Sequence, residues 1–322
     1  MTSFLDARLA AGETIILDGG TGTEIERRGA KMSDEIWCAA ATLTDQSIIR
    51  AVHRDYIQAG ADIIAANTFA SSVFSLDYHN KLDELEAIDR MAVKLAREAV
   101  AEAKVKRPVA VAGSFSVMRP VILGSDRSMP PDAWTEDKAR PLLARKAKVL
   151  KETGVDLILM EMMRDADHSL WATQAAIETG LPVWVGVSIE KREDGKLAGF
   201  GRNDCALEDF IGPLMQTGAK VASVMHCSVN DVTPAIEIIK RHWQGPLGAY
   251  PESGFFQMPS WQFVDIIAPD KLVAEAKAWL AQGVTLLGGC CGMGPEHIAA
   301  LSGAYGSARK SGFSSSGIRN PL

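Results

Sequence analysis

Three of the five cysteines stand where a metal ion or a reactive thiol would be expected. Cys290 and Cys291 are adjacent in a glycine-rich segment, and Cys227 follows an apolar run upstream. Three thiolates can bind a zinc ion and leave the fourth tetrahedral position open, and soft sulfur ligands favour zinc over magnesium or manganese. Such a zinc ion activates water poorly, but it can hold an incoming thiol as a nucleophilic thiolate.

Two alternatives to a metal site stay open. The cysteines could be buried as small hydrophobic side chains, which is the preferred interpretation for Cys38 and Cys205 because neither follows a predicted strand. The glycines around the cysteine pair could instead bind a phosphate at the start of a helix. No Lys or Arg lies between positions 288 and 294, so phosphate is the weaker interpretation.

A repeated pattern predicts the elements that position these thiols. Helical stretches end at a glycine, which readily adopts the left-handed conformation, and a short apolar strand follows. Apolar strands alternating with helices predict a parallel sheet covered on both faces, and eight such units predict a single-domain (β/α)8 TIM barrel rather than an open α/β sheet. The predicted strands begin near Thr14, Gly60, Pro108, Gly154, Gly180, Gly218, Pro246 and Gly283, and the last long helix is predicted over 260–282.

Polar residues follow most of these strands, and the chemistry of a barrel lies at that end. Asp18 and Glu161 end the first and fourth predicted strands, so the two carboxylates could converge on one cation. Alternatively, Asp18 caps the turn that follows it and Glu161 pairs with Arg164. The residues at the strand ends are Asp18, Asn67, Ser114, Ser116, Glu161, Ser188, Cys227, Tyr250, Glu252, Cys290 and Cys291.

The composition and net charge of the chain limit the classes of partner that it can bind. The chain has 322 residues, of which 47% are hydrophobic, and a net charge of −6 without a basic block, which excludes global disorder and argues against nucleic acid. No apolar run of about 18 residues predicts a membrane span, and no secretory signal is visible. We therefore expect a cytoplasmic protein with small-molecule partners, and a homo-oligomer stays open.

These motifs together resemble the homocysteine S-methyltransferases, which share the homocysteine-binding barrel of methionine synthase and betaine–homocysteine methyltransferase. The matching segments run in family order over nearly the whole chain. They are LDGGTGTE (17–24), NTF (67–69), GSFS (113–116), EMM (161–163), HC (226–227), YPESG (250–254), GGCCG (288–292) and PEHI (295–298).

The resemblance implies a homocysteine-binding barrel over 1–309 that holds Zn²⁺ on Cys227, Cys290 and Cys291. The sulfur of homocysteine would take the open zinc position, and Asp18 and Glu161 would hold its ammonium group. The polar segment 310–322 is expected to be a flexible tail. The substrate-binding residues implied are Asp18, Gly19, Gly20, Thr21, Asn67, Glu161, Tyr250 and Glu252.

The implied reaction transfers a methyl group from a sulfonium, S-methylmethionine or S-adenosylmethionine, to homocysteine and gives methionine. Betaine as donor, or another small thiol or selenol as acceptor, is the alternative. Aromatic faces bind cationic methyl groups well, and Trp37, Tyr250, Phe255 and Phe256 are predicted in loops over the mouth; ordinary loop packing is the alternative for each. Cobalamin is disfavoured because only about thirty residues follow the last predicted strand.

Some positions depart from the family pattern. His226 and Glu252 stand where family members commonly or often have Asn, and Met293 follows the cysteine loop in place of Thr. None of these changes removes a predicted zinc ligand. His226 could contact a thiolate or carboxylate beside the metal, or it could be a core histidine.

Two other classes of protein stay open at this point. One is a barrel lyase with a Schiff-base lysine, which is disfavoured because no Lys falls at a predicted strand end. The other is a non-catalytic zinc- or thiol-binding protein, which would need no amino-acid pocket.

Overall fold

The computed structural model describes residues 3–120, 122, 128–257 and 262–306, with the side chains of Phe256, Gln262 and Phe263 outside this description. The predicted tail 310–322 also lies outside it. The strands of the described part are β1 (Ile15–Ile16), β2 (Ile63–Ala66), β3 (Ala110–Ser116), β4 (Leu157–Met163), β5 (Val183–Lys191), β6 (Leu197–Gly199), β7 (Arg202–Ala206), β8 (Val221–Ser228), β9 (Leu247–Glu252), β10 (Phe255–Gln257), β11 (Gln262–Val264) and β12 (Val284–Leu287).

Helices alternate with these strands. In the described ranges none of them is both long and apolar enough to cross a membrane. The helices are α1 (Phe4–Ala10), α2 (Thr21–Arg27), α3 (Ala41–Thr44), α4 (Gln46–Ala59), α5 (Val73–Tyr78), α6 (Leu85–Ala103), α7 (Glu136–Glu152), α8 (Asp167–Ile177), α9 (Leu207–Met215), α10 (Val232–Ile239), α11 (Pro269–Ala281) and α12 (Pro295–Tyr305).

Eight parallel strands form the predicted barrel. Their order around the ring is β1-β12-β9-β8-β5-β4-β3-β2, and a parallel bridge between Leu17 and Ile63 joins the end of β1 to β2. The (β/α)8 prediction is confirmed. The glycines predicted to end helices before five of these strands all have positive φ, as a left-handed helix end requires: Gly60, Gly154, Gly180, Gly218 and Gly283.

The core has two layers because successive side chains on a strand point to opposite faces. One buried cluster fills the barrel interior and includes Leu159, Trp184 and Met225, while the larger cluster lies between the strands and the surrounding helices. Helix α1 contributes Leu5 to the interior cluster. Arg8 on the same helix forms an ion pair of 2.9 Å with Asp62, just before β2. Helix α1 therefore closes the end of the barrel opposite the mouth.

Two antiparallel hairpins were not predicted. Strands β6 and β7 extend the end of β5, and β10 pairs with β11 after β9. The predicted helix over 260–282 is wrong at its start, since β11 occupies 262–264 and α11 begins at Pro269. Proline is favoured in the first turn of a helix, and an aromatic and β-branched run favours a strand, so both local signals oppose the longer helix.

His53 on α4 gives the fold a pH dependence. The side chain is fully buried, and neither ring nitrogen has a hydrogen-bond partner. Burial lowers the pKa of His53 from 6.5 to about 4. The unfolded chain therefore binds a proton below pH 6.5 that the folded chain does not, so stability falls as the pH drops through this window.

We predict that His53→Leu removes this loss. Between pH 6.5 and 4 the wild-type free energy of unfolding should fall by about 3 kcal/mol more than that of the variant, measured by urea denaturation at each pH. His242→Leu, at an exposed position, is the control and should keep the wild-type slope. If the free energy of unfolding depended on pH equally in the wild type and in His53→Leu, the lowered pKa of His53 would not be the cause.

Candidate active site

A cavity of about 410 Å³ opens at the carboxyl ends of the barrel strands. It is lined by every predicted site residue whose side chain is described, except Cys227. Those residues are Asp18, Gly19, Gly20, Thr21, Trp37, Asn67, Glu161, Tyr250, Glu252, Phe255, Cys290 and Cys291. Phe256 lies outside the described side chains, so its predicted role stays a prediction.

Two carboxylates meet in this cavity, and among the described residues neither forms a direct ion pair. Asp18 is 2% exposed and accepts a hydrogen bond of 2.9 Å from the backbone N–H of Ala65, and Glu161 accepts one from the hydroxyl of Ser114. Burial raises the pKa of Asp18 well above its ordinary value, and the nearby Glu161 adds to this effect. Burial raises the pKa of Glu161 to about 7, although the Ser114 hydrogen bond opposes the shift. Such a pair favours a bound cation.

The alternative pairing of Glu161 with Arg164 is wrong. One Nη of the Arg164 guanidinium bonds to the Ser128 hydroxyl and to the carbonyl of Phe200, both at 3.3 Å. Arg164 is fully buried and is not among the cavity-lining residues. The alternative in which Asp18 caps the turn after it is not seen either, since its carboxylate accepts from the backbone N–H of Ala65 on β2.

The turn after Asp18 packs directly on the cysteine loop. A Cβ on Gly20 would lie 2.6 Å from the carbonyl oxygen of Cys290, so only glycine permits this approach. The Gly20 N–H donates to the carbonyl of Met293 at 3.0 Å. Helix α2 begins at Thr21, whose hydroxyl is buried and has no hydrogen-bond partner. A polar atom left free in the cavity lining is available to a ligand.

The cysteine pair lies beside a histidine and a carboxylate. The sulfurs of Cys290 and Cys291 are 4.0 Å apart, and the Cys290 sulfur is 3.8 Å from Nδ1 of His226. That nitrogen is 2.7 Å from a carboxylate oxygen of Glu252. Although burial opposes it, the Glu252 carboxylate raises the pKa of His226 to about 10. The neighbouring Cys291 thiol and burial raise the pKa of Cys290 well above its ordinary value.

This group fits a zinc ion. Two sulfurs bound at about 2.3 Å in a tetrahedral site stand about 3.8 Å apart, close to the separation of the cysteine pair. Among the residues that the structure describes, His226, Cys290 and Cys291 form one group whose donor atoms all lie within 4.8 Å of one another. Nitrogen and sulfur are the donors that zinc prefers.

Cys227 lies outside this group. Its side chain is 1% exposed and belongs to the cluster between the strands and the helices. Along β8, Val221 and Met225 point into the barrel, so simple alternation would turn Cys227 inward as well. The pairing of β8 with β9 shifts register after Met225, and His226 adopts a φ of 43°. This irregularity brings His226 into the cavity lining. The role of Cys227 as a zinc ligand stays a prediction.

The sequence model of the homocysteine S-methyltransferases matches residues 15–305. The chain belongs to the homocysteine S-methyltransferase family. It is 29% identical to a selenocysteine Se-methyltransferase from Brassica oleracea var. italica, over 95% of this chain and 92% of the relative. It is 27% identical to homocysteine S-methyltransferase 2 from Arabidopsis thaliana, over 93% of this chain and 95% of the relative. The prediction of a methyltransferase enzyme is confirmed.

A solved structure agrees with the fold of this family member. The homocysteine methyltransferase MmuM from Escherichia coli, in its metallated form, superposes with a TM-score of 0.72 at 23% identity. The match covers 93% of this chain and 99% of that chain. At this identity the likeness supports the barrel architecture.

Aromatic side chains line the outer part of the cavity. The rings of Trp37 and Phe69 meet edge to face at 6.4 Å, and Phe255 is 58% exposed at the rim. Phe200, carried between β6 and β7, also lines the cavity; sequence reasoning missed it because that hairpin was not predicted. The expectation of a loop position for Tyr250 is wrong, since Tyr250 lies on β9 and is 1% exposed.

Asn67 positions the cavity wall rather than presenting a free amide. Its Oδ1 accepts a hydrogen bond of 3.2 Å from the thiol of Cys38, and its Nδ2 donates to the Cys38 carbonyl at 2.9 Å and to the Thr42 hydroxyl at 3.0 Å. These bonds fix the segment that carries Trp37. Cys38 is buried as a core side chain, as expected.

A buried lysine holds the loop after β2. Lys146 on α7 is fully buried, donates to the carbonyl oxygens of Thr68 at 3.0 Å and Ser71 at 3.3 Å, and pairs with the buried Asp89 at 2.8 Å. The same loop carries Phe69 into the cavity wall. A charge that is buried and multiply bonded in this way holds its partners in one arrangement.

We predict that Ser114→Ala moves the titration of Glu161 to higher pH by about one pH unit, because it removes a hydrogen bond to the ionised carboxylate. The measurement is ¹³C NMR of side-chain-labelled glutamate over a pH series. Ser116→Ala is the matched control, because the Ser116 hydroxyl donates to the carbonyl of Phe69 and not to Glu161. An unchanged titration in Ser114→Ala would show that this bond does not hold the charge.

Proposed function

We propose that the protein transfers a methyl group from a sulfonium donor to the thiolate of homocysteine, with a zinc ion holding the thiolate. The observation that carries the proposal is the charge of the cavity. Among its described lining residues are five carboxylates and no Lys or Arg. The carboxylates are Asp18, Asp34, Glu35, Glu161 and Glu252.

The inner part of the cavity suits the amino-acid part of homocysteine. The desolvated carboxylates of Asp18 and Glu161 bind the ammonium group, and the Thr21 hydroxyl and the backbone amides at the start of α2 bind the carboxylate. The side chain then extends toward Cys290. In this placement the ligand supplies a partner for the Thr21 hydroxyl, which has none in the protein.

Zinc fits the thiol end of the cavity. Cys290 and Cys291 would hold it with a third donor from the end of β8, where His226 and the predicted ligand Cys227 are neighbours. When bound, the ion keeps the acceptor thiol deprotonated at neutral pH. The protein orients the two substrates in line and excludes water from a mouth lined by aromatic and methionine side chains. The acceptor sulfur bonds to the methyl carbon while the carbon–sulfur bond of the donor breaks, and its electron pair stays on the donor sulfur.

The donor side favours a sulfonium amino acid. S-methylmethionine and S-adenosylmethionine each carry one net positive charge, which the carboxylate-rich cavity attracts. Betaine is neutral overall, and among the described lining residues its carboxylate would meet other carboxylates and no Lys or Arg. Trp37, Phe69 and Phe200 line the cavity, where aromatic rings could contact the cationic methyl group.

A cytoplasmic location is part of the proposal. The five cysteines are all free, and thiols persist in a reducing compartment.

The first test is a methylation assay on the zinc-loaded protein. Homocysteine is offered with S-methylmethionine, S-adenosylmethionine or betaine in separate reactions, and product formation is followed by mass spectrometry. We expect methionine from a sulfonium donor, at least about 100-fold faster than from betaine, and none from Cys290→Ala. Methionine from betaine alone would overturn the donor assignment.

Selenocysteine is added as a second acceptor, because one relative bears the name of a selenocysteine methyltransferase. Rapid methylation of selenocysteine with no methionine from homocysteine would replace the acceptor and keep the reaction class.

We predict that kcat/KM for homocysteine depends on the ionisation of Glu161. Because only the carboxylate attracts an ammonium group, and because the pKa of Glu161 is about 7, kcat/KM should fall as the pH drops below about 7. Glu161→Gln should raise KM for homocysteine by about 10- to 100-fold and remove this acid limb. Glu152→Gln, on the exposed surface, is the control. An acid limb that survives in Glu161→Gln would assign it to another group.

A further inference from the structure

We propose that the hydroxyl of Ser128, with the guanidinium of Arg164 behind it, binds the carboxylate of the methyl donor. The inference rests on the proposed function and adds a site for the other end of the donor. Ser128 lines the cavity, and its hydroxyl oxygen accepts a hydrogen bond of 3.3 Å from one Nη of Arg164. Within the described ranges this hydroxyl makes no other hydrogen bond, so its proton can be donated to a ligand.

Arg164 is a buried cation that forms no ion pair among the described residues. Its side chain is fully buried, and its Nε and second Nη have no hydrogen-bond partner. Burial, together with the neighbouring Arg119, lowers the pKa of Arg164 from 12.5 to about 9. A charge buried in this way is costly until an opposite charge compensates it. An anion bound to the Ser128 hydroxyl supplies that compensation.

Two further arginines add positive charge behind the same wall. Arg119 and Arg202 share the buried carboxylate of Asp165, at 2.9 and 3.4 Å. Asp204 pairs with Arg202 but is 70% exposed, and Glu190 near the guanidinium groups is half-buried, so water screens both of these charges more than that of Asp165. In the described part of the chain, three guanidinium groups thus face one fully buried carboxylate.

The wall at Ser128 therefore differs in charge from the rest of the cavity, whose lining carries five carboxylates. A sulfonium amino acid has both signs of charge. Its sulfonium and ammonium groups are attracted to the acidic side chains, whereas its carboxylate is repelled by them and attracted to the arginines behind Ser128. The two regions together give the donor one orientation.

Phe200 separates this wall from the thiol end of the cavity. Its carbonyl oxygen accepts a hydrogen bond of 3.3 Å from the same Nη of Arg164 that bonds to Ser128. Its ring lies 4.5 Å from the imidazole of His226, which is 3.8 Å from the sulfur of Cys290. A donor that reaches from Ser128 to the acceptor sulfur must therefore extend past a phenylalanine side chain.

This separation favours the longer donors. In S-methylmethionine and S-adenosylmethionine three carbon atoms separate the sulfonium sulfur from the carboxylate, whereas in betaine one carbon separates the nitrogen from the carboxylate. When a methyl group of betaine lies at the acceptor sulfur, its carboxylate is too close to the thiol end to reach Ser128. It then remains among the acidic side chains.

Donor binding by the full-length, zinc-loaded protein tests the proposal without an acceptor. Isothermal titration calorimetry is carried out with S-methylmethionine and with (3-aminopropyl)dimethylsulfonium, which is the same molecule without its carboxylate. Because the two differ in net charge, each ligand is compared between the wild type and the variant. Ser128→Ala should weaken the binding of S-methylmethionine by about 10-fold, as expected for a hydrogen bond to a charged group, and leave that of the analogue unchanged.

Two further variants separate the site from general packing. Ser75→Ala is the matched control, because Ser75 also lines the cavity but its hydroxyl has no hydrogen-bond partner; it should bind both ligands as the wild type does. Arg164→Met keeps the Ser128 hydroxyl and removes the charge behind it, so it should weaken S-methylmethionine and not the analogue. Its folding is checked by circular dichroism, and if it does not fold, Ser128→Ala decides.

The length requirement is tested with two quaternary ammonium compounds of equal net charge. In 4-trimethylammoniobutanoate three carbons separate the nitrogen from the carboxylate, as in the sulfonium donors, and betaine is the short counterpart. The wild type should bind the longer compound about 10-fold more tightly, and Ser128→Ala should lose this preference.

The proposal is overturned if the wild type does not bind S-methylmethionine, or if Ser128→Ala weakens S-methylmethionine and the analogue equally or weakens neither. It is also overturned if betaine and 4-trimethylammoniobutanoate bind equally. Methyl transfer from S-methylmethionine by a protein with any of these results would keep the proposed function. Binding that depends on Ser128 and on the carboxylate, without methyl transfer, would keep this inference and reject the function.

Discussion

The turn after β1 and the cysteine loop after β12 pack against each other through backbone atoms, and the arrangement of the mouth depends on this contact. The Gly289 N–H donates to the Asp18 carbonyl at 3.1 Å, and the Gly292 N–H donates to the Thr23 hydroxyl at 3.2 Å. These residues are separated by most of the chain and meet because β12 pairs with β1 when the ring closes. A side chain at Gly20 would separate the two loops. The contact sets the distance between the carboxylate that ends β1 and the thiols, and thereby the length of ligand that can span them.

The electrostatics of the mouth are set by two buried carboxyl groups. Asp18 and Glu161 are buried together, and burial favours their protonated forms. A carboxyl group desolvated in this way regains its charge when a cation replaces the lost water. The protein thus keeps at its mouth groups that would be better solvated outside, which is an arrangement typical of functional sites rather than of a core selected for stability.

The barrel could be predicted from the sequence because its signals are local and repeated. Each glycine that ends a helix and each apolar run that follows it is visible in a short window. Most of the residues predicted after those runs line the cavity. The hairpins β6–β7 and β10–β11 escaped prediction because short antiparallel strands without a strong apolar alternation resemble loops. Phe200 was missed together with its hairpin.

The place of His226 in the cavity lining was not predicted for a different reason. Alternation is the rule by which side-chain direction is inferred along a strand, and a single irregularity inverts it for every later residue. The signal for such an irregularity is weak in the sequence, since Met has no special tendency toward positive φ and His, although enriched there, adopts it uncommonly. Tyr250 illustrates the opposite error: its aromatic ring suggested a loop over the mouth, whereas its strand position makes it part of the barrel interior.

The charge of the mouth also bears on the order of events in the proposed reaction. A sulfonium and a thiolate are consumed, and two neutral thioethers are formed, so the donor loses the positive charge that drew it into a cavity lined by Asp34, Glu35 and Glu252. The demethylated donor is therefore attracted to this site less strongly than the sulfonium from which it was formed. The ammonium group of the methylated acceptor is unchanged and keeps its contacts with Asp18 and Glu161. In the proposed reaction, release of the methylated acceptor is therefore the step that depends most on the charge of these two carboxylates.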